Sequence, residues 1–302
     1  MSARSGISAE FCRPQAAQNI RKITIMKKDN RFWVWGYVLD QVPGKVQFVS
    51  GNTSCSLETA AAYLDCPNVF WMNPLHSLES LNDTQWGHLS TFDSLVCGLT
   101  HIEHGGDGSG DWELLYRESA EKIARMSLRH PNIKGAIIDD FRCPEGPSKD
   151  LTDGELHVIN ATLKEINPAL KLYLVHYHVS RTPEMLESCA ADFDGLTLWA
   201  WHSTDHFWKA LYEDEIRKLR RMYPGKELIQ GQFIHAYGDA GGAQPMDQME
   251  LQCESIAYQM DRGRLDGWCA LQNGWFCRQD HRKQVEYLRS YWEWYRNTRT
   301  CR

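Results

Sequence analysis

Two adjacent acids, Asp139 and Asp140, close a short apolar run, Lys134-Gly135-Ala136-Ile137-Ile138, and are followed by Phe141 and a Cys-Pro-Glu-Gly-Pro loop. Neighbouring carboxylates repel when both ionise, which raises one pKa and favours a retained proton. A neutral and a charged carboxyl together can donate a proton to a leaving group and attack or activate water. Side chains alternate across a strand, so the two acids cannot face the same way while the strand lasts.

Other chemistry-bearing residues gather near the ends of similar apolar runs. They are Trp33, Trp35 and Tyr37; Trp71 and Asn73; His101, Glu103 and His104; His176, Tyr177 and His178. Further along come Trp199, Trp201 and His202; Gln230, Gln232 and His235; and Gln272, Asn273 and Trp275. Tryptophan faces suit the apolar C–H faces of sugar rings, and amides, imidazoles and carboxylates suit their hydroxyls. The candidate catalytic residues are therefore Asp139, Asp140 and Glu103. The candidate substrate-binding residues are Trp35, Trp71, His101, His176, His178, Trp199, Trp201, Gln232, His235, Gln272 and Asn273. Each has a plainer reading: an indole packs, a buried amide satisfies the backbone, and an Asp caps a loop or pairs with Arg142.

The elements that position these residues alternate regularly. Hydrophobic patterning predicts strands at Phe32–Val38, Asn68–Asn73, Ser94–Thr100, the run ending at the two acids, Leu170–His178, Asp194–Trp201, Glu227–Ile234 and Leu265–Asn273. Helices are expected over Ser54–Leu64, Leu78–Leu89, Asp111–Arg129 and Thr152–Ile166, then from Pro183, and over Asp205–Met222, Met246–Arg262 and Arg278–Arg296. Thr152 and Glu155 have capping-box spacing. Strand and helix alternating eight times predicts a single-domain α/β fold, a (β/α)8 TIM barrel over 31–302 preceded by an N-terminal arm, 1–30, with a possible short strand at Lys22–Met26. No G-x-G-x-x-G follows the first strand, which weakens a dinucleotide-binding fold. In a barrel the chemistry sits at the C-terminal ends of the strands.

Parity then assigns directions. Gln230 and Gln232 share a face opposite Ile229 and Phe233, so an apolar outer face predicts the glutamines inward. His176 and His178 share one face, Val175 and Tyr177 the other. Counted from Gly135, Asp139 matches Thr197, Trp199 and Trp201 counted from Gly195, which points Asp139 into the barrel.

The segment Gly135-Ala-Ile-Ile-Asp139-Asp140-Phe141 resembles the fourth-strand pattern of (β/α)8-barrel glycoside hydrolases, in which a Gly-led strand ends in an acid. In the alpha-amylase-like group the first acid, four residues after the Gly, occupies the catalytic position, so the resemblance implies Asp139 as the catalytic carboxylate. That group carries its acid/base Glu after the fifth strand, where this chain has His176-Tyr177-His178. Asp140, Glu103, Asp205 and Asp239 are the alternatives for the proton donor. The expected function is a glycoside hydrolase acting on a poly- or oligosaccharide, with no cofactor. Two other classes compete: a metal-dependent barrel hydrolase or isomerase using His101, Glu103, His104, Asp139, His176, His178 and His235, and a non-catalytic carbohydrate-binding barrel.

Composition narrows the partners. The formal charge of −6 on 302 residues gives no basic footprint for nucleic acid. No run of about 18 apolar residues suggests a membrane span. The 10 cysteines include no C-x-x-C pair, so mostly free thiols and a cytoplasmic location are expected.

Overall fold

The computed structural model describes residues 29–37, 55–72, 86–87, 89–99, 112–143, 148, 150–178, 183–238 and 241–299. Eight parallel strands close on themselves in sequence order: β1 (Phe32–Gly36), β2 (Asn68–Trp71), β3 (Ser94–Gly98), β4 (Ile133–Ile138), β5 (Lys171–Tyr177), β6 (Gly195–Trp199), β7 (Glu227–Phe233) and β8 (Gly267–Leu271). The ring is completed by β1 pairing with β8, from Phe32 opposite Trp268 to Trp35 opposite Leu271. The chain is a single-domain (β/α)8 TIM barrel.

The helices between strands are α1 (Leu57–Tyr63), α2 (Trp112–Ser127), α3 (Asp153–Ile166), α4 (Tyr212–Met222), α5 (Met246–Asp261) and α6 (Arg282–Arg299). The capping box at α3 is present: Glu155 N–H donates to Thr152 Oγ1 at 3.2 Å, and Thr152 N–H donates to Glu155 Oε2 at 2.6 Å. Two helical expectations are corrected. After β5 the chain makes only short 3-10 turns, Pro183–Leu186 and Ala190–Asp192. The buried residues here are Leu186 and Cys189, three apart, while Met185 is exposed; three-residue spacing suits a 3-10 turn, not an amphipathic α-helix. After β6, a π-helical turn at Phe207–Leu211 precedes α4. The expected arm, the strand at Lys22–Met26 and most of the helix at Leu78–Leu89 lie outside the described residues.

Both faces of the ring are buried, and they differ in kind. The outer face packs aliphatic residues against the helices, for example Val34, Val69, Leu95, Ala136, Leu172, Leu196 and Leu228. The inner face is aromatic: Trp33, Trp35 and Tyr37 from β1 and its end, Phe70 from β2, Tyr173 from β5, Trp199 from β6 and Phe233 from β7. Trp35 stands 5.5 Å from Phe70 and 5.6 Å from Trp199 between ring centroids. Such bulk fits because small residues face it. A Cβ on Gly231 would lie 2.2 Å from the Trp199 indole, and one on Gly195 would lie 2.6 Å from the Tyr173 ring.

The inward register corrects the parity argument for β7. Ile229 and Phe233 are the inner residues, and the glutamines lie behind the sheet. Gln232 is fully buried, accepts from Trp268 Nε1 at 2.9 Å and lies near Cys253 of α5. Gln230 donates to Leu198 O at 2.8 Å. On β5, Tyr173 and Val175 face inward, with Tyr177 packed on the same cluster, so His176 points outward.

Candidate functional site

At the end of β4 the chain turns sharply, and the turn separates the two acids. Asp139 has the inward parity of Ile137. Asp140 then adopts a left-handed conformation, φ 46°, and so does Arg142, φ 53°; both are unusual for residues other than glycine. The turn is tied down by polar contacts. Asp140 N–H donates to Asp139 Oδ1 at 2.9 Å, Cys143 N–H to Asp140 O at 2.8 Å, and Ser148 Oγ to Asp140 O at 2.8 Å. Arg142 turns away from both acids: its guanidinium meets Asp153 at 2.5 Å and Leu151 O at 2.5 Å.

Phenols surround the acid pair. Tyr177 Oη donates to Asp140 Oδ1 at 2.8 Å. Tyr37 and Tyr116 lie within electrostatic reach of both carboxyls, and Tyr237 within reach of Tyr37. Burial, then the charges of Asp139, Tyr237 and Asp140, raises the Tyr37 pKa, so that phenol stays protonated. Asp139 is half-buried as a residue with its carboxyl enclosed. Its pKa stands well above the ordinary aspartate value, first because burial disfavours the charge, then because Asp140 lies next to it; the N–H of Asp140 opposes the shift. Asp139 is therefore a carboxyl that gives up its proton less readily than an ordinary aspartate.

An aromatic rim continues from this pair. Trp201, 36% exposed, stands edge-on to Tyr177 and lies nearly parallel to Tyr237, with centroids 5.8 and 5.7 Å away. Tyr237 Oη accepts from Trp275 Nε1 at 2.6 Å and from Gln272 Nε2 at 3.2 Å. His235 lies flat on Trp275, 3.9 Å between centroids and 7° between planes. The rim thus joins the ends of β4, β5, β6, β7 and β8.

Asp139, Asp140, Trp201, His235 and Gln272 sit at this end of the barrel. Several other candidates do not line it. Trp71 is fully buried behind the sheet against Trp86, because even-numbered positions of β2 face the inside. Trp35 and Trp199 are 2% and 3% exposed and fill the barrel interior, so they support the site from below and offer no open face. Gln232 lies behind β7. Asn273 is fully buried as a clamp: it accepts from Tyr37 N–H at 2.9 Å and donates to Tyr37 O at 3.1 Å and Cys55 O at 2.6 Å. That bond set fixes the backbone of Tyr37.

His176 and His178 line a cavity of about 10 Å³ between β5, β6, β7 and α4, together with Tyr212, Glu215 and Gln230. His176 Nε2 is 3.7 Å from Glu215 Oε1, and neither His176 nitrogen has a hydrogen-bond partner among the described residues. The volume is at the lower limit for one water. His178 stacks on Phe207, 3.8 Å between centroids, and burial lowers its pKa. Glu103, His101, His104 and Asp239 lie outside the described residues. Asp205 is exposed and paired with Lys209 at 2.6 Å, which lowers its pKa. Among the described residues no three His, Cys, Asp or Glu side chains come together in a way that could hold a metal ion.

Tyr237, His281 and Asp280 carry polar contacts here, and Tyr116 lies within electrostatic reach of the acids; the sequence pattern did not single them out. Tyr237 had a signal: it continues the inward parity of Phe233 and His235 beyond the end of β7. His281 and Asp280, in a turn before α6, had none.

Comparison with solved structures places this architecture. The chain is similar to a GH128 endo-beta-1,3-glucanase from Amycolatopsis mediterranei in complex with laminarihexaose, with TM-score 0.53 and 9% identity, over 86% of this chain and 99% of that one. It is similar to xylanase 10C from Cellvibrio japonicus in complex with xylopentaose, with TM-score 0.55 and 10% identity, over 90% of this chain and 68% of that one. It is also similar to a GH2 beta-galacturonidase from Eisenbergiella tayi, with TM-score 0.56 and 10% identity, over 89% of this chain and 51% of that one. At such identities the likeness shows the fold. No family model matches the sequence, and no curated protein matches it. No described helix is long and apolar enough to cross a membrane.

Proposed function

We propose that this chain hydrolyses glycosidic bonds at the C-terminal mouth of the barrel, with Asp139 as the proton donor and Asp140 as the second carboxylate. The observation that carries the reading is the unequal treatment of two adjacent acids. Asp139 is enclosed, and burial and its neighbour push its pKa up, while Asp140 accepts a bond from Tyr177 Oη, which favours a charged acceptor. Carboxyls whose surroundings push their protonation apart are the equipment of glycoside hydrolysis, in which one protonates the leaving oxygen and the other attacks or activates water. Trp201 and Tyr237 supply a ring face beside them. The sugar-acting neighbours of the fold agree with this reading.

Turnover of aryl glycosides and oligosaccharides by the parent chain, by Asp139→Asn and by Asp140→Asn tests it. Hydrolysis by the parent and its loss in both variants, with sugar binding retained, is the expected result. Turnover that survives Asp139→Asn would remove the assignment. Binding with no turnover in the parent would favour a carbohydrate-binding barrel.

A further inference from the structure

The rim contains a chain of hydrogen bonds that the acid pair does not use. Asp280 Oδ1 lies 2.9 Å from His281 Nδ1, and His281 Nε2 lies 2.9 Å from His235 Nδ1. The two imidazole planes are 15° apart and their centroids 5.2 Å, the separation of rings set edge to edge across the 2.9 Å N···N distance, so a ring N–H points along a ring lone pair. Both lie along the Trp275 indole, at 7° and 22°, and that indole is fixed by its bond to Tyr237.

Proton positions follow from the chain's charged end. Arg278 pairs with Asp280 at 2.7 Å and keeps its carboxyl ionised, below the ordinary pKa. An ionised carboxylate only accepts, so His281 carries its proton on Nδ1. In a neutral His281 the Nε2 is then a lone pair, which a proton on His235 Nδ1 satisfies. His235 Nε2 is left bare, and it has no partner among the described residues. The groups around His235 are His281, Arg278, Asp280, Tyr237 and Trp275. Burial, then His281 and Arg278, disfavours a positive charge on it.

We infer that Asp280 and His281 are positioning residues that lock the tautomer of His235, so that His235 Nε2 is a hydrogen-bond acceptor for a hydroxyl of a saccharide bound at the barrel mouth. The ligand class rests on the glycosidase reading; the tautomer does not. A ligand presenting a second acceptor at this point is rejected, because the lock leaves no proton there to offer. His281 is fully buried, so the arrangement is shielded from exchange with solvent at its centre.

Long-range proton–nitrogen NMR of the full chain labelled at histidine nitrogen tests the lock, with His235→Gln used for assignment. Near neutral pH the expected His235 is neutral with its proton on Nδ1. Asp280→Ala, a change at a half-exposed residue, is expected to shift His235 toward the Nε2–H form that free imidazole side chains prefer. An Nε2–H or doubly protonated His235 in the parent overturns the inference, as does a tautomer indifferent to Asp280→Ala. Titration with methyl β-D-glucopyranoside is expected to move the Nε2 resonance saturably, and His235→Phe to weaken binding of that glycoside about tenfold, the loss of one hydrogen bond. No saturable movement overturns the acceptor role. A locked tautomer and saturable binding without Asp139-dependent turnover would sink the hydrolase reading alone.

Discussion

Asn273 offers a measurable link between the barrel's closure and its site. It is fully buried, and its side chain makes one bond to Tyr37 N–H and two to the carbonyls of Tyr37 and Cys55. Tyr37 O also accepts from Leu57 N–H at 3.0 Å, so Asn273→Ala leaves Tyr37 N–H without the amide it donates to and takes one bond from Cys55 O. At about 1–3 kcal/mol for the buried orphan N–H and about 0.5–1.5 kcal/mol for the lost bond, the expected loss is about 1.5–4.5 kcal/mol. That is a large share of the roughly 5–15 kcal/mol that holds a typical domain. Asn273→Asp has nearly the same shape but turns a second oxygen toward both carbonyls. Its folded carboxyl pKa is therefore raised above the unfolded value of about 3.9. A raised carboxyl pKa means that the unfolded chain ionises first as pH rises. The variant thus loses stability relative to the parent from about pH 4 upward, by about 1.4 kcal/mol for each unit by which the pKa is raised. Urea unfolding followed by tryptophan fluorescence at pH 5 and pH 8, on parent and both variants, measures this. A parent-minus-Asp difference that does not grow with pH, or an alanine variant within about 0.5 kcal/mol of the parent, refutes the clamp.

Three further outcomes follow from the same geometry. Asp139→Asn is expected to cut turnover by about 10²–10⁴-fold, and parent activity to fall as pH rises through the raised Asp139 pKa; because that raised pKa makes the parent lose stability with rising pH, the Asn variant should gain on the parent between acid and alkaline urea melts. Tyr177→Phe removes the 2.8 Å bond to Asp140, worth about 1.5–3 kcal/mol for a charged acceptor, so stability should fall by up to that amount in the urea assay and kcat/KM about 10–100-fold; an unchanged kcat/KM would detach Asp140 from the chemistry. Gly231→Ala drives a Cβ to 2.2 Å from Trp199 and should cost about 1–3 kcal/mol by overpacking, whereas Gly154→Ala, with open space at the first turn of α3, should be neutral or stabilising by about 0.4–1 kcal/mol in the same denaturation assay.

The strand order was legible because each strand is a short apolar run closed by turn residues, and those runs recur with helical segments between them. Which face looked inward was harder to read. The argument for Gln230 and Gln232 assumed that an apolar face must lie outside, against the helices. In a parallel barrel both faces are buried, so polarity does not separate them, and here the interior is aromatic. Size complementarity does: Gly231 beside Trp199 and Gly195 beside Tyr173 mark the crowded inner side. Asp139 was assigned inward by comparison with Trp199, a residue that does face the interior. The glutamines and His176 misled because their partners come from elsewhere in the chain, Trp268 and Cys253 for Gln232 and Glu215 for His176. Contacts between residues so far apart in sequence leave no local pattern. The same holds for Asn273, whose three bonds reach back more than two hundred residues.

The indole of Trp35, wedged between Phe70 and Trp199, gives the mouth a solid floor. Among the described residues no open shaft runs down the axis, which these rings fill. A guest cannot thread end-first through the ring of strands. What the opening accepts is then decided by the residues around it, and the ring of strands beneath serves as their support.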